Sequence, residues 1–264
     1  MPALDSPEFL RQLRSESTRF REVLSTCAPD ARVPSCPAWD AADLLWHLTE
    51  VQDFWSQIIT HRPAGPDDYV APSRPKDYSA QLEAFDTAST ALVSALEQAD
   101  PAEPAWSWST EQTVGFTFRR QAHEALIHRV DAEQAAHAES PMDANLAADG
   151  VREVLDVMYG GCPPWGTFVP LPHYVRVDLT DTGDSIWTQL GQFHGTDPKT
   201  GIEHHEDDIR VVSDSGLEPD AVIKGPAAVM NARLWRRGDG DSLHVAGDLS
   251  IVDHFRNAIH HPID

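Results

Sequence analysis

The chain has 264 residues, 41% hydrophobic and 23% charged, enough for one large or two ordinary globular domains and unlike a disordered chain, a collagen-like repeat or a coiled-coil rod. Its 42 acidic against 20 basic residues leave a formal charge of −22, which repels phosphate backbones and acidic headgroups and argues against nucleic-acid and membrane partners. The lack of any apolar run near the ~20 residues of a bilayer span, the lack of a secretory signal at the amino terminus, and three cysteines (Cys27, Cys36, Cys162) with no CxxC pair together lead us to expect a reducing, cytoplasmic setting.

Up to about residue 158 the apolar spacing is helical. Ser6 before Pro7 reads as an N-cap, and Phe9, Leu13, Phe20, Val23 and Leu24 form a stripe ending at Cys27. A turn bearing Pro34 and Pro37 leads to Asp40, the expected cap of a second helix through Ile59. In that helix Leu44, Leu48, Val51, Trp55 and Ile58 recur three or four residues apart. The proline-rich stretch 61–78 reads as a loop. A third helix is expected over 79–99, a fourth over 118–138 and a fifth over 145–159. After Gly160-Gly161-Cys162 the period changes to two, with strands at 174–180, 185–190, 209–212 and 221–224. A helix from Pro226 to Trp235, a short strand at 243–245 and a last helix over 249–259 follow. The expected fold class is therefore α+β in two domains: a helical bundle over 1–162 and a small α+β domain over 163–264.

Glu124 and His128 sit in the fourth helix, in His123-Glu-Ala-Leu-Ile-His128. Side chains four apart on a helix lie about 6 Å apart on one face, so a carboxylate and an imidazole at that offset can grip one metal ion. His123 and His128 are about 140° apart around the axis and cannot chelate together. The spacing is also one residue too long for the HExxH zinc-peptidase motif. His47, on the apolar stripe of the second helix, is the best third ligand, since bundles build metal sites from facing helices. Three protein ligands leave a position open, the pattern of catalytic rather than structural zinc. The same residues also fit a core histidine and a solvated Glu–His pair, which are the commoner outcomes of such spacing, and both readings stay open at this level. Asp131, three residues past His128, can orient a ligand or form a surface ion pair. The segment 192–208 reads as a connecting loop whose His194, His204, His205 and neighbouring acids form either a solvated loop or a second metal site.

Three stretches carry a resemblance. Val33-Pro-Ser-Cys-Pro-Ala-Trp-Asp-Ala-Ala-Asp-Leu-Leu-Trp-His-Leu48, Gln121-Ala-His-Glu-Ala-Leu-Ile-His-Arg-Val-Asp-Ala-Glu133 and the region from Ala221-Val-Ile-Lys-Gly-Pro-Ala to Leu243-His-Val-Ala-Gly-Asp248 resemble, in order, the hallmarks of the mycothiol-dependent maleylpyruvate isomerase family. The resemblance implies a DinB-type four-helix bundle holding a divalent metal, usually zinc, on His47, Glu124 and His128, followed by a sterol-carrier-like domain. It implies mycothiol as cofactor or co-substrate. It also implies a catalytic arginine in the second domain, at Arg237 with Arg236 as the adjacent alternative.

The expected activity is that of an S-transferase or cis–trans isomerase, in which the metal activates a low-molecular-weight thiol toward an electrophilic small molecule. A metal-dependent hydrolase and a non-catalytic metal- or ligand-binding module are the alternatives. A monomer or a homodimer is expected. Cys27 and Cys36 are not needed as nucleophiles in this scheme.

Overall fold

The structure, a computed structural model, describes residues 4–214 and 216–260. The chain divides into two compact units, Leu4–Pro141 and the part from Met142 onward. The first holds four long helices: α1 (Ser6–Thr26), α2 (Ala41–Thr60), α3 (Tyr78–Glu97) and α4 (Val114–Ala136). α1 packs on α4 and α2 on α3, with α2 also meeting α4. Phe20, Leu24, Leu44, Leu48, Leu82 and Phe85 lie in one buried cluster, the product of the three-and-four spacing.

The helix ends follow local chemistry. Asp5, not Ser6, caps α1 by accepting from the Glu8 amide, and Pro7 falls at the second helical position. Asp40 caps α2 in a capping box with Asp43, as the sequence indicates. α4 begins four residues earlier than expected, because the Thr113 hydroxyl accepts from the Phe116 amide. It ends with His137 in the left-handed region at φ 52°.

A buried ion network joins α1 to α4. Arg129, 2% exposed, donates to Glu16 at 2.7 Å and to Glu133 at 2.8 Å, and Arg19 donates to Glu133 at 2.7 Å. The amide and hydroxyl of Ser140 complete the Glu133 shell. Each charge is paired, as burial requires.

The second unit contains α5 (Ala144–Glu153), continued by a π-helical stretch over Val154–Tyr159, and a mixed sheet of five strands with two more helices. The strands are β1 (Gly166–Leu179), β2 (Ser185–Thr196), β3 (Glu203–Val212), β4 (Ala221–Gly225) and β5 (His244–Gly247), in spatial order β3-β2-β1-β4-β5. β1 and β4 are parallel and the other neighbours antiparallel. The helices are α6 (Ala227–Leu234) and α7 (Leu249–Ala258). Pro170 and Pro172 fall within the part of β1 that β4 does not pair, and the register with β2 shifts between Pro170 and Tyr174, an irregularity of the kind at which a strand tolerates proline.

Two expectations need correction. α5 packs on α6 and belongs to the second unit, so the division falls at 141/142 rather than 162/163. Helical periodicity identified α5 but carries no information on which layer it covers. The segment 192–208 is not a loop: β2 runs on to Thr196, β3 starts at Glu203, and the two pair from Trp187↔Val212 to Thr196↔Glu203. No described helix is long and apolar enough to cross a membrane.

Candidate metal centre

In the first unit α2 and α4 bring His47, Glu124 and His128 together. One donor atom from each lies within 4.8 Å of the others. His47 Nε2 is 3.7 Å and His128 Nε2 3.2 Å from the same Glu124 oxygen, Oε1. The two imidazole rings meet at 75° with centroids 4.8 Å apart. Ligands about 2.0–2.1 Å from a tetrahedral zinc stand roughly 3.3–3.4 Å from each other, and the two separations from Glu124 Oε1 to the histidine nitrogens fall close to that value. The side chains of His47, Glu124 and His128 are 34%, 20% and 8% exposed, so access is on the His47 side.

Surrounding groups orient each donor. Asp131, fully buried, places Oδ2 3.0 Å from His128 Nδ1. It holds the ring with Nε2 turned to Glu124, as carboxylates do behind metal-binding histidines. The Ser35 hydroxyl donates to the other Asp131 oxygen. Arg120 donates to Glu124 Oε2 at 2.6 Å, leaving Oε1 toward the histidines. Trp39 lies against His47 with ring centroids 4.8 Å apart.

The electrostatics follow from these contacts. Burial works to raise the Glu124 pKa. The Arg120 charge and the hydrogen bonds of His128 and His47 outweigh it and hold the carboxyl well below its usual range. Burial works to lower the His128 pKa, and the Asp131 and Glu124 carboxylates overcome it, pushing it up to about 9. Without a cation, a proton on His128 and the Arg120 guanidinium balance the Glu124 and Asp131 carboxylates, so a divalent ion bound there would displace the His128 proton.

Ser35 and Trp39 reach the site on the proline-bearing turn. That turn is closed by bonds from the Cys36 amide to the Val33 carbonyl, the Trp39 amide to the Cys36 carbonyl and the Val33 amide to the Trp39 carbonyl. Sequence reasoning missed Ser35, Trp39 and Arg120. Of these only Arg120 had a signal, since it stands four residues before Glu124. His123 is not part of the donor group; it is buried edge-on against Phe9.

The two expected arginines lie in the second unit. Arg236, in the left-handed region at φ 62°, donates to the His260 carbonyl. The Arg237 guanidinium donates to the Trp235 carbonyl at 2.7 Å. The three cysteines form no disulfide. Burial raises the pKa of the Cys27 and Cys162 thiols, which makes both weak nucleophiles near neutral pH.

The family model described as "Mycothiol maleylpyruvate isomerase N-terminal domain" matches residues 10–133, and the one described as "MDMPI C-terminal domain" matches residues 145–254. Among solved structures, a mycothiol-dependent maleylpyruvate isomerase aligns over 93% of this chain and 96% of its own, with TM-score 0.58 and 13% identity. A histidine-to-alanine mutant of a mycothiol-dependent maleylpyruvate isomerase aligns over the same shares, with TM-score 0.60 and 12% identity. At that identity the likeness speaks to the fold. No curated protein matches the chain.

Proposed function

The chain belongs to the mycothiol maleylpyruvate isomerase family, an enzyme family, and from that premise we propose that it is a metal- and mycothiol-dependent isomerase or S-transferase acting on an electrophilic small molecule. The observation that carries the reading is the convergence of the His47, Glu124 and His128 donors within 4.8 Å. When bound there, a divalent cation such as zinc would supply Lewis acidity that holds a thiol as thiolate, ready to add to an electrophilic carbon.

The chain's own residues have separable duties. His47, Glu124 and His128 hold the cation. Asp131 and Ser35 keep the His128 ring in one orientation, and Arg120 keeps one Glu124 oxygen free for ligation. Trp39 walls the His47 side with an aromatic face. Arg237, with Arg236 beside it, binds a carboxylate of the substrate, because a guanidinium fork grips a planar acid through two parallel bonds.

The test is turnover by the zinc-loaded protein, with maleylpyruvate and a panel of other electrophiles, in the presence and absence of mycothiol. Isomerised product or an S-conjugate that forms only with the thiol supports the reading. Thiol-independent hydrolysis of esters or amides, with no conjugate and no isomerisation, replaces it with a hydrolase.

A further inference from the structure

The outer half of the β2–β3 hairpin carries histidines that take no part in the centre described above. His194 on β2 faces His205 on β3 in direct register. Their Nδ1 atoms are 2.7 Å apart, and the rings meet at 76° with centroids 4.7 Å apart. Two N–H groups cannot point at each other across that distance, so at least one Nδ1 offers its lone pair to the gap. On the far side of the His205 ring, Nε2 lies 3.2 Å from Glu203 Oε1. A carboxylate that accepts the Nε2 proton leaves Nδ1 as the lone-pair nitrogen and fixes the ring, the same outer support given to metal-binding imidazoles.

The distances suit a cation. Two nitrogens about 2.0–2.1 Å from one metal ion stand about 2.9 Å apart at a right angle and about 3.4 Å apart at the tetrahedral angle. The pair reaches that spacing by small rotations of two side chains on a backbone fixed by ladder bonds. His205 is 58% exposed and His194 half-buried, so water can fill the remaining positions. Glu203 and Asp207 share the face of β3 that carries His205 and, with the net charge of −22, draw cations toward it.

We propose that His194 and His205 form a cross-strand chelate for a divalent transition-metal ion of the imidazole-preferring class, oriented by Glu203 and independent of His47, Glu124 and His128. Imidazole donors suit copper, nickel and zinc, and copper binds nitrogen sites most tightly of the divalent first-row ions. Copper(II) alone is therefore the probe, added to the metal-stripped full chain and followed by calorimetry and electron paramagnetic resonance.

The expected result is a copper equivalent whose spectrum carries coupling to two nitrogens and which His194→Ala and His205→Asn each remove, with far-UV circular dichroism unchanged. Glu203→Gln should raise its Kd about tenfold or more, and His47→Ala should leave this equivalent in place. Unchanged stoichiometry and spectrum in both histidine variants would overturn the proposal. So would loss of this equivalent on His47→Ala while both hairpin variants keep it.

Discussion

His128 and Asp131 face each other along α4, with Nδ1 of the imidazole 3.0 Å from Oδ2 of the carboxylate. The opposite ring nitrogen thereby faces Glu124 at 3.2 Å. The orientation of a proposed ligand is thus set by a residue that itself donates nothing to the cation. Asp131→Asn keeps the volume and removes the charge, and it is expected to weaken metal binding about 10- to 100-fold. Ser35→Ala, one bond further out, should weaken it less. Competition with a chromophoric chelator measures both, and affinities equal to wild type would remove Asp131 from the site.

The Arg129–Glu16–Glu133–Arg19 network makes stability depend on acid. Burial would raise the Glu133 pKa, but hydrogen bonds from Arg19, Ser140 and Arg129 lower it below the usual carboxylate value. A group depressed in the folded state contributes its stability fully above the unfolded pKa of about 4.3 and loses it as pH falls through the folded value. Glu133→Gln leaves Arg129 paired to Glu16 and removes the charged partner it shares with Arg19, which should cost about 1.5–3 kcal/mol at neutral pH. It should also flatten the acid limb of the stability curve below about pH 4.3. Urea denaturation at a series of pH values tests both; an acid limb as steep as that of wild type would show that Glu133 is not the group responsible.

Much of the site was legible because helix arithmetic is local. The four-residue step from Glu124 to His128 puts both on one face, and the apolar stripe of α2 turns His47 inward with Leu44 and Leu48. The five-residue step to His123 sends that ring away, against Phe9. Ser35 and Trp39 were not legible, since a turn closed by its own backbone bonds reaches Asp131 and His47 through contacts that leave no periodic trace. The run Glu203-His-His-Glu-Asp-Asp hid a strand because it has no apolar alternation. Its pairing with β2 rests on the ladder rather than on a buried face of its own.

Arg236 and Arg237 are proposed to bind a carboxylate of the substrate, a duty separable from holding the metal. Replacing both with glutamine should raise KM or lower kcat for an acidic electrophile by about tenfold or more, the scale of one charged hydrogen bond. Metal content should stay constant. A neutral electrophile should be affected much less. Kinetics unchanged for both substrate types would assign these arginines another role.

Thiol dependence can be followed without turnover. With cobalt substituted for zinc, adding mycothiol should produce sulfur-to-metal charge-transfer absorption in the wild type and in the Arg236/Arg237 double variant. It should be absent from Glu124→Gln, whose ligand charge is lost. Absorption that persists in Glu124→Gln at full intensity would place the cobalt elsewhere.

The central claim, that His47, Glu124 and His128 together hold one divalent cation, is tested most directly by elemental analysis of purified wild-type, His47→Ala and His123→Ala proteins whose circular dichroism spectra coincide. After equilibration with zinc and removal of weakly held metal, one tightly held ion per wild-type chain is predicted. His123→Ala should retain that ion, and His47→Ala should lose most of it. Full retention by His47→Ala, or loss from His123→Ala alone, would contradict the assignment.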